Sequence, residues 1–166
     1  MQQLAYRKWH VEIGMNYLVV WNNLKDSIDK AHSVIDLKSI RDRAEALRYA
    51  AKLAGESKEV IRKAEEIKLR AERRAGELLS VAPKQKPGTY QQRYKDKTVD
   101  IPKSYKELGL SKVDASKWQR IASIPAKDFE TWLKTSDEVS SAGALRLEST
   151  LRFAQRETPP LPKGKY

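Results

Sequence analysis

Apolar side chains recur along this chain at spacings of three and four, the pattern of helices that each bury one side. A first helix is predicted from Asn16, on Leu18, Trp21, Leu24 or Lys25, Ile28 and Ala31. Asp26 and Lys30 fall four apart on its exposed side, in the favourable order. Residues 36–54, DLKSIRDRAEALRYAAKLA, predict a second helix that Asp36 or Ser39 would cap, with an alanine-rich seam of Ile40, Ala44, Leu47, Ala51 and Ala54. Gly55 ends it, because glycine enters the left-handed region without a Cβ penalty. Ser57 would cap a third helix, from about Lys58 to Ser80, with Val60, Ala64, Ile67, Ala71, Ala75 and Leu78 along one side. Two antiparallel long helices, a kinked pair joining a second subunit, or one continuous helix through Gly55 all fit 36–80. Arg70, Arg73 and Arg74 read mostly as a solvated face, with Glu66 and Arg70 as an i,i+4 pair.

The helical period then stops. Pro83, Pro87, Gly88 and Pro102 punctuate residues 81–103, which carry Lys84, Lys86, Arg93, Lys95, Lys97 and Lys103 interleaved with Tyr90 and Tyr94. A plain solubility linker needs neither those aromatics nor that charge. A segment that orders on a nucleic-acid backbone uses both, so these six cations are candidate phosphate contacts. Periodicity resumes beyond it. A helix from about Ala126 to Lys134 holds Phe129, Trp132 and Leu133, and a last helix from Ser140 or Ser141 holds Leu145, Leu147, Leu151 and Phe153. The predicted organisation is all-α. An N-terminal arm (1–15, where Trp9, Val11 and Ile13 alternate with polar residues) precedes a long-helix hairpin or coiled-coil-like region (16–80). A basic linker (81–103), a small helix-turn-helix module (104–155) and an extended tail (156–166) follow.

Charge sharpens this picture. The chain has 166 residues and a net charge of +11. Residues 81–125 hold ten basic and four acidic side chains, a surplus of six, more than half of the total excess. Even solvation would spread such a surplus, whereas a polyanion-binding module concentrates it. The absence of cysteine excludes disulfides and thiolate metal sites. No apolar run approaches the roughly 20 residues of a membrane span. The expected location is the cytoplasm, on the nucleoid.

The concentrated charge surrounds LGLSKVDASKWQR, Leu108 to Arg120. A helix-turn-helix needs a short turn, usually with glycine, a buried contact on each helix, and polar side chains on the far face of the second. Here Leu108 would anchor the first helix, Gly109 the turn and Leu110 the corner. Ser111 would cap the second helix, with Asp114 three residues on. Ala115, Trp118 and Ala122 share its inner face, with Gln119 and Ile121 at the margins. Val113, Ser116, Lys117 and Arg120 share the outer one. Lys117 and Arg120 could reach guanine edges or phosphates, and Ser116 can donate or accept. Lys106 and Lys112 suit phosphate positioning. First helices of this kind usually carry a small residue four before the turn glycine; Tyr105 stands there.

LGLSKVDASKWQRIASIPAKDFETWL resembles the helix-turn-helix of ParB-like plasmid and chromosome partition proteins, in which a proline and an acidic-apolar helix soon follow the reading helix. IRDRAEALRYAAKLAG and AEEIKLRAERRAGELL, followed by that corner, look like a family of small helical proteins encoded by phages, prophages and mobile elements. The resemblance covers about residues 16–147. It implies a DNA-associated protein of a mobile element and carries over Gly109, Ser111, Lys112, Ser116, Lys117 and Arg120. The partition family's nucleotide-binding motifs are not found in this sequence.

No catalytic constellation accompanies these features. His10 and His32 lack neighbours at metal-ligand spacing, and there is no glycine-rich phosphate loop. The expected protein is a non-catalytic, sequence-specific or semi-specific duplex-DNA binder of a phage or mobile element, without metal or cofactor, for regulation, replication or maintenance. A homodimer is expected, with the alanine-rich helices as its surface. The rivals are a protein-interaction module that binds a host or defence complex, and an RNA-binding accessory.

Overall fold

The computed structural model describes residues 19–81 and 105–157. The expected arm at 1–15, the linker beyond Val81 and the tail from residue 158 lie outside the described residues. All regular structure among the described residues is helical: α1 (19–30), α2 (Val34–Leu53), α3 (Lys58–Val81), α4 (Lys112–Ala122), α5 (Ala126–Thr135) and α6 (Ser141–Glu157). None of them is long and apolar enough to cross a membrane.

Trp21, Leu24 and Ile28 are the buried stripe of α1, continued by buried Ala31 just past its end, so Leu24 and not Lys25 faces inward. Residues 31–33 separate α1 from α2, which starts earlier than the sequence predicts. Its cap is Ser33, whose hydroxyl accepts the Ile35 N–H at 3.2 Å, and Asp36 falls inside the first turn. A residue's capping propensity does not by itself say where the chain must turn, and the tight return after Ala31 puts the break at Ser33.

The stretch 36–80 is a hairpin. Gly55 sits at φ +68°. The Glu56 N–H reaches the Ala51 carbonyl at 2.9 Å and the Gly55 N–H the Lys52 carbonyl at 3.2 Å. That nested pair closes α2 with a Schellman turn. Ser57 then starts α3, its hydroxyl 3.4 Å from the Val60 N–H. Ion pairs fix the antiparallel register. Arg48 meets Glu65 at 3.2 Å, Lys68 meets Glu45 at 2.8 Å, and Arg41 meets Glu72 at 3.3 Å. Of the alanines foreseen as a seam, Ala44, Ala64, Ala71 and Ala75 are buried in one core with Leu37, Ile40, Ile67 and Leu79, Ala51 is buried as well, and Ala54, at the end of α2, is exposed.

α3 is buried on a second side too, which its single predicted stripe does not anticipate. Leu69 is fully buried there, in a core with Ile121, Ile124, Phe129, Leu133, Val139 and Ala144. α5 runs antiparallel along that side. Arg62 donates to the Leu133 and Ser136 carbonyls, Arg70 grips Glu130, and the Arg73 guanidinium lies 4.8 Å from the Phe129 ring centre. These arginines are not a solvated face. Arg70, Arg73 and Arg74 are half-buried and tied to Glu66, Glu77 and Glu130. The bond to Glu130 raises the Arg70 pKa, and the same bond lowers that of Glu130. Phe153, expected among the apolar positions of α6, is 64% exposed.

Candidate nucleic-acid interface

The basic segment around Gly109 holds one complete helix among the described residues, not two. Residues 105–109 form turns. The Leu110 N–H bonds the Tyr105 carbonyl at 2.8 Å and the Gly109 N–H bonds the Lys106 carbonyl at 3.0 Å, with Gly109 at φ +63°. This repeats the turn that ends α2, so Gly109 has the role its sequence position implies. Leu110 is buried behind it, also as expected. Ser111 then caps α4: its hydroxyl accepts the Asp114 N–H at 3.0 Å and donates to Asp114 Oδ2 at 2.7 Å. Both hydrogen-bonding directions of that hydroxyl are used within the chain, so Ser111 is a capping residue.

The helix against which α4 packs is α3, distant in sequence. Ala115 and Trp118 enter the core shared by α1, α2 and α3. Ile121, placed at the margin by the helical wheel, is fully buried in the second core with α5 and α6. α4 is thus clamped on two sides. The closest crossing is at Gly76 of α3, where an added Cβ would overlap the Trp118 backbone and lie 2.9 Å from Ala122 Cβ. The small residue sought four before the turn glycine, where Tyr105 stands, is supplied by α3 instead. A glycine inside an otherwise regular helix is the sequence signal that could have marked this approach. Gln119 adds a polar tie, donating to the Leu79 carbonyl near the end of α3 at 3.2 Å.

The outer face divides. Lys112, Val113, Ser116 and Lys117 are exposed, as is Lys106 on the preceding turn. No ion pair or side-chain hydrogen bond holds these three lysines among the described residues. Arg120 differs. Its Nε and Nη2 donate to Glu148 Oε2 at 2.9 and 2.5 Å, and Nη2 donates to Ser149 Oγ at 3.0 Å. Glu148 is buried on α6 and also faces Arg152 at 3.6 Å. Arg120 therefore fastens α4 to α6 and is not a free base-reading side chain. A buried carboxylate needs a cation partner, and one turn of helix beyond Lys117 puts Arg120 within its reach. Lys84, Lys86, Arg93, Lys95, Lys97 and Lys103 lie outside the described residues.

Three further polar groups organise the site without having been singled out from sequence. Glu72, 2% exposed, accepts from Arg41 at 3.3 Å and from the Ser141 hydroxyl at 2.8 Å, joining α2, α3 and the start of α6. Glu148 joins α4 to α6, and Arg62 closes the end of α5. Charged residues on amphipathic helices look alike in sequence, and only the packing shows which of them turn inward. His32 is exposed, and among the described residues no three His, Asp or Glu side chains gather as ion ligands. No family model, curated protein or solved structure matches this chain.

Proposed function

We propose that the protein binds duplex DNA through the N-terminal two turns of α4, mainly by contacts to phosphates. The observation that carries this reading is the state of its cations. Among the described residues Lys106, Lys112 and Lys117 stand exposed without an ion pair, whereas Arg70, Arg73, Arg74 and Arg120 are committed to carboxylates of their own chain. Val113, 60% exposed, and Ser116 lie between those lysines and are short enough to approach base edges. Reading helices of this kind meet the groove with their N-terminal residues, and α4 leaves that end free while its C-terminal turn is fastened to α6. The surplus of six positive charges over residues 81–125 supports the same ligand. With Arg120 occupied, specificity is modest, because the commonest guanine-reading side chain is not on offer. The resemblance to mobile-element and partition proteins fits a role in maintenance or regulation of such an element.

A salt titration of binding to a short duplex tests this. Affinity falls linearly on a log–log plot, by a slope of about −0.9 per phosphate contacted. The Lys112→Ala, Lys117→Ala double variant lowers the slope by about two contacts and keeps its helical circular dichroism. A parent protein that ignores duplex DNA at low salt defeats the reading. Preference for single-stranded RNA, or retention only of a host protein, moves the function to those partners.

A further inference from the structure

Lys117 stands on the edge of α4 that faces α6. One turn further on the same side, Ile121 is fully buried in the second core, against which Leu145 and Leu151 of α6 also pack. Arg120 reaches across to Glu148 and Ser149. α6 therefore turns toward α4 the side that carries those two residues. On a helical period Arg152 and Arg156 continue that side, one and two turns beyond Glu148. The Glu148 carboxylate joins the two helices: Oε2 accepts from Arg120, and Oε1 lies 3.6 Å from Arg152. The cationic edge of α4 thus passes onto α6 without a break. Arg152 has no other ion pair among the described residues, its side chain is 56% exposed, and Arg156 has none at all. Burial does not account for this end of α6. Leu151 still packs against the core, whereas residues 152–156, RFAQR, are all exposed. A helix dipole favours cations in the last turn, which covers Arg156 but not Arg152.

We infer that Arg152 and Arg156 hold the phosphate backbone beside the stretch of duplex that α4 contacts, as a second nucleic-acid contact on the same chain. The inference rests on the DNA-binding reading of α4 and extends it. Two guanidiniums one turn apart, with no acidic residue between them in sequence, offer forked donors that suit phosphate oxygens. Backbone contacts of this kind fix the register of a reading helix without specifying bases. The Arg120–Glu148 bond has a part in this arrangement. It holds α6 at a set angle to α4, so the distance between the two sets of cations is fixed before any ligand arrives. The alanine seam expected to pair two copies is used inside the hairpin, whereas α6 adds its contact beside α4 within one chain.

Salt titration of duplex binding by the full chain tests the α6 contact separately from α4. The Arg152→Gln, Arg156→Gln variant, with Lys112 and Lys117 intact, lowers the log–log slope by about 1.8, two phosphates at about 0.9 each. Arg156→Gln alone removes no bond among the described residues and lowers it by about 0.9. Arg146→Gln takes the same charge from a different side of α6 and keeps the parent slope. All three variants keep the parent's helical circular dichroism, because these side chains are exposed. A parent that binds duplex through Lys112 and Lys117, with a slope unmoved by Arg152→Gln, Arg156→Gln, overturns the α6 contact and leaves the α4 reading standing. A parent that ignores duplex DNA at low salt overturns both. An Arg146→Gln slope as low as that of Arg156→Gln also overturns the α6 contact, since the effect is then one of net charge and not of position.

Discussion

Gly76 and Trp118 touch backbone to backbone where α3 crosses α4, and the absent Cβ of the glycine is what allows it. The indole of Trp118, 5% exposed, fills the space beside that crossing. Alanine at position 76 gains about 1 kcal/mol of helix propensity, but forcing the crossing apart costs about 1–3 kcal/mol or more. The obstructing atoms are main chain and cannot swing aside. Gly76→Ala is therefore expected to lower the melting temperature by several degrees, and DNA affinity with it, because α4 is displaced. An unchanged melting temperature removes the close approach.

Arg120 and Lys117 are neighbours on α4 with opposite expected phenotypes. Arg120→Ala leaves the Glu148 carboxylate buried with only Arg152 nearby at 3.6 Å. Loss of a partner to a buried charge costs about 1–3 kcal/mol where, as here, the pair is partly open to water. Urea unfolding reads this loss directly. Lys117→Ala leaves the unfolding midpoint alone and shifts only the salt dependence of DNA binding. Equal effects of both on stability contradict the assignment.

Two glutamates in the α2–α3 ion cluster titrate in opposite senses. Hydrogen bonds from Arg48 and then Lys68 pull the Glu45 pKa from 4.5 down to about 2. Its stabilising contribution is complete above pH 4.5 and disappears as the pH falls to about 2. Glu65 is pushed the other way by burial, and its Oε2 is buried without a hydrogen bond. Its contribution is complete below the unfolded value and is lost as the pH rises through the raised folded one. Glu45→Gln is expected to destabilise at pH 7, with the difference from the parent closing in acid. Glu65→Gln is neutral or stabilising at pH 7. Unfolding midpoints across pH 2–7 separate the two, and parallel pH profiles refute the contrast.

Arg62 closes the C-terminal end of α5 by donating to the Leu133 and Ser136 carbonyls, both at 2.5 Å. A cation at the negative end of a helix, bonded to its last carbonyls, contributes on the order of 1–2 kcal/mol. Arg62→Ala should cost about that much. Hydrogen exchange should quicken first in the last turn of α5, and Arg62→Lys should recover part of the protection. Uniform loss of protection across all helices would instead show that Arg62 acts on the whole core.

The all-α class, the helix end at Gly55, the turn glycine at 109, the Ser111 cap and the inward Trp118 could be read from the chain itself, whereas the choice of a hairpin over one continuous helix through Gly55 could not. Each legible feature depends on a local cause: a helical period, a residue that tolerates positive φ, or a side chain that reaches back to its own backbone. Such causes act over a few residues and leave a mark in any sequence. Other outcomes were decided between segments far apart. Ser33 rather than Asp36 or Ser39 starts α2 because of where α1 ends. Gly76 supplies the crossing because α3, not the turn before Gly109, lies beneath α4. Arg120 turns to the buried Glu148 on α6, and Arg70 reaches beyond its local partner Glu66 to Glu130 on α5, because packing set those carboxylates beside them. A helical wheel gives the direction of a side chain but not what waits there. Which cations stay free for a ligand is therefore a property of the tertiary structure alone.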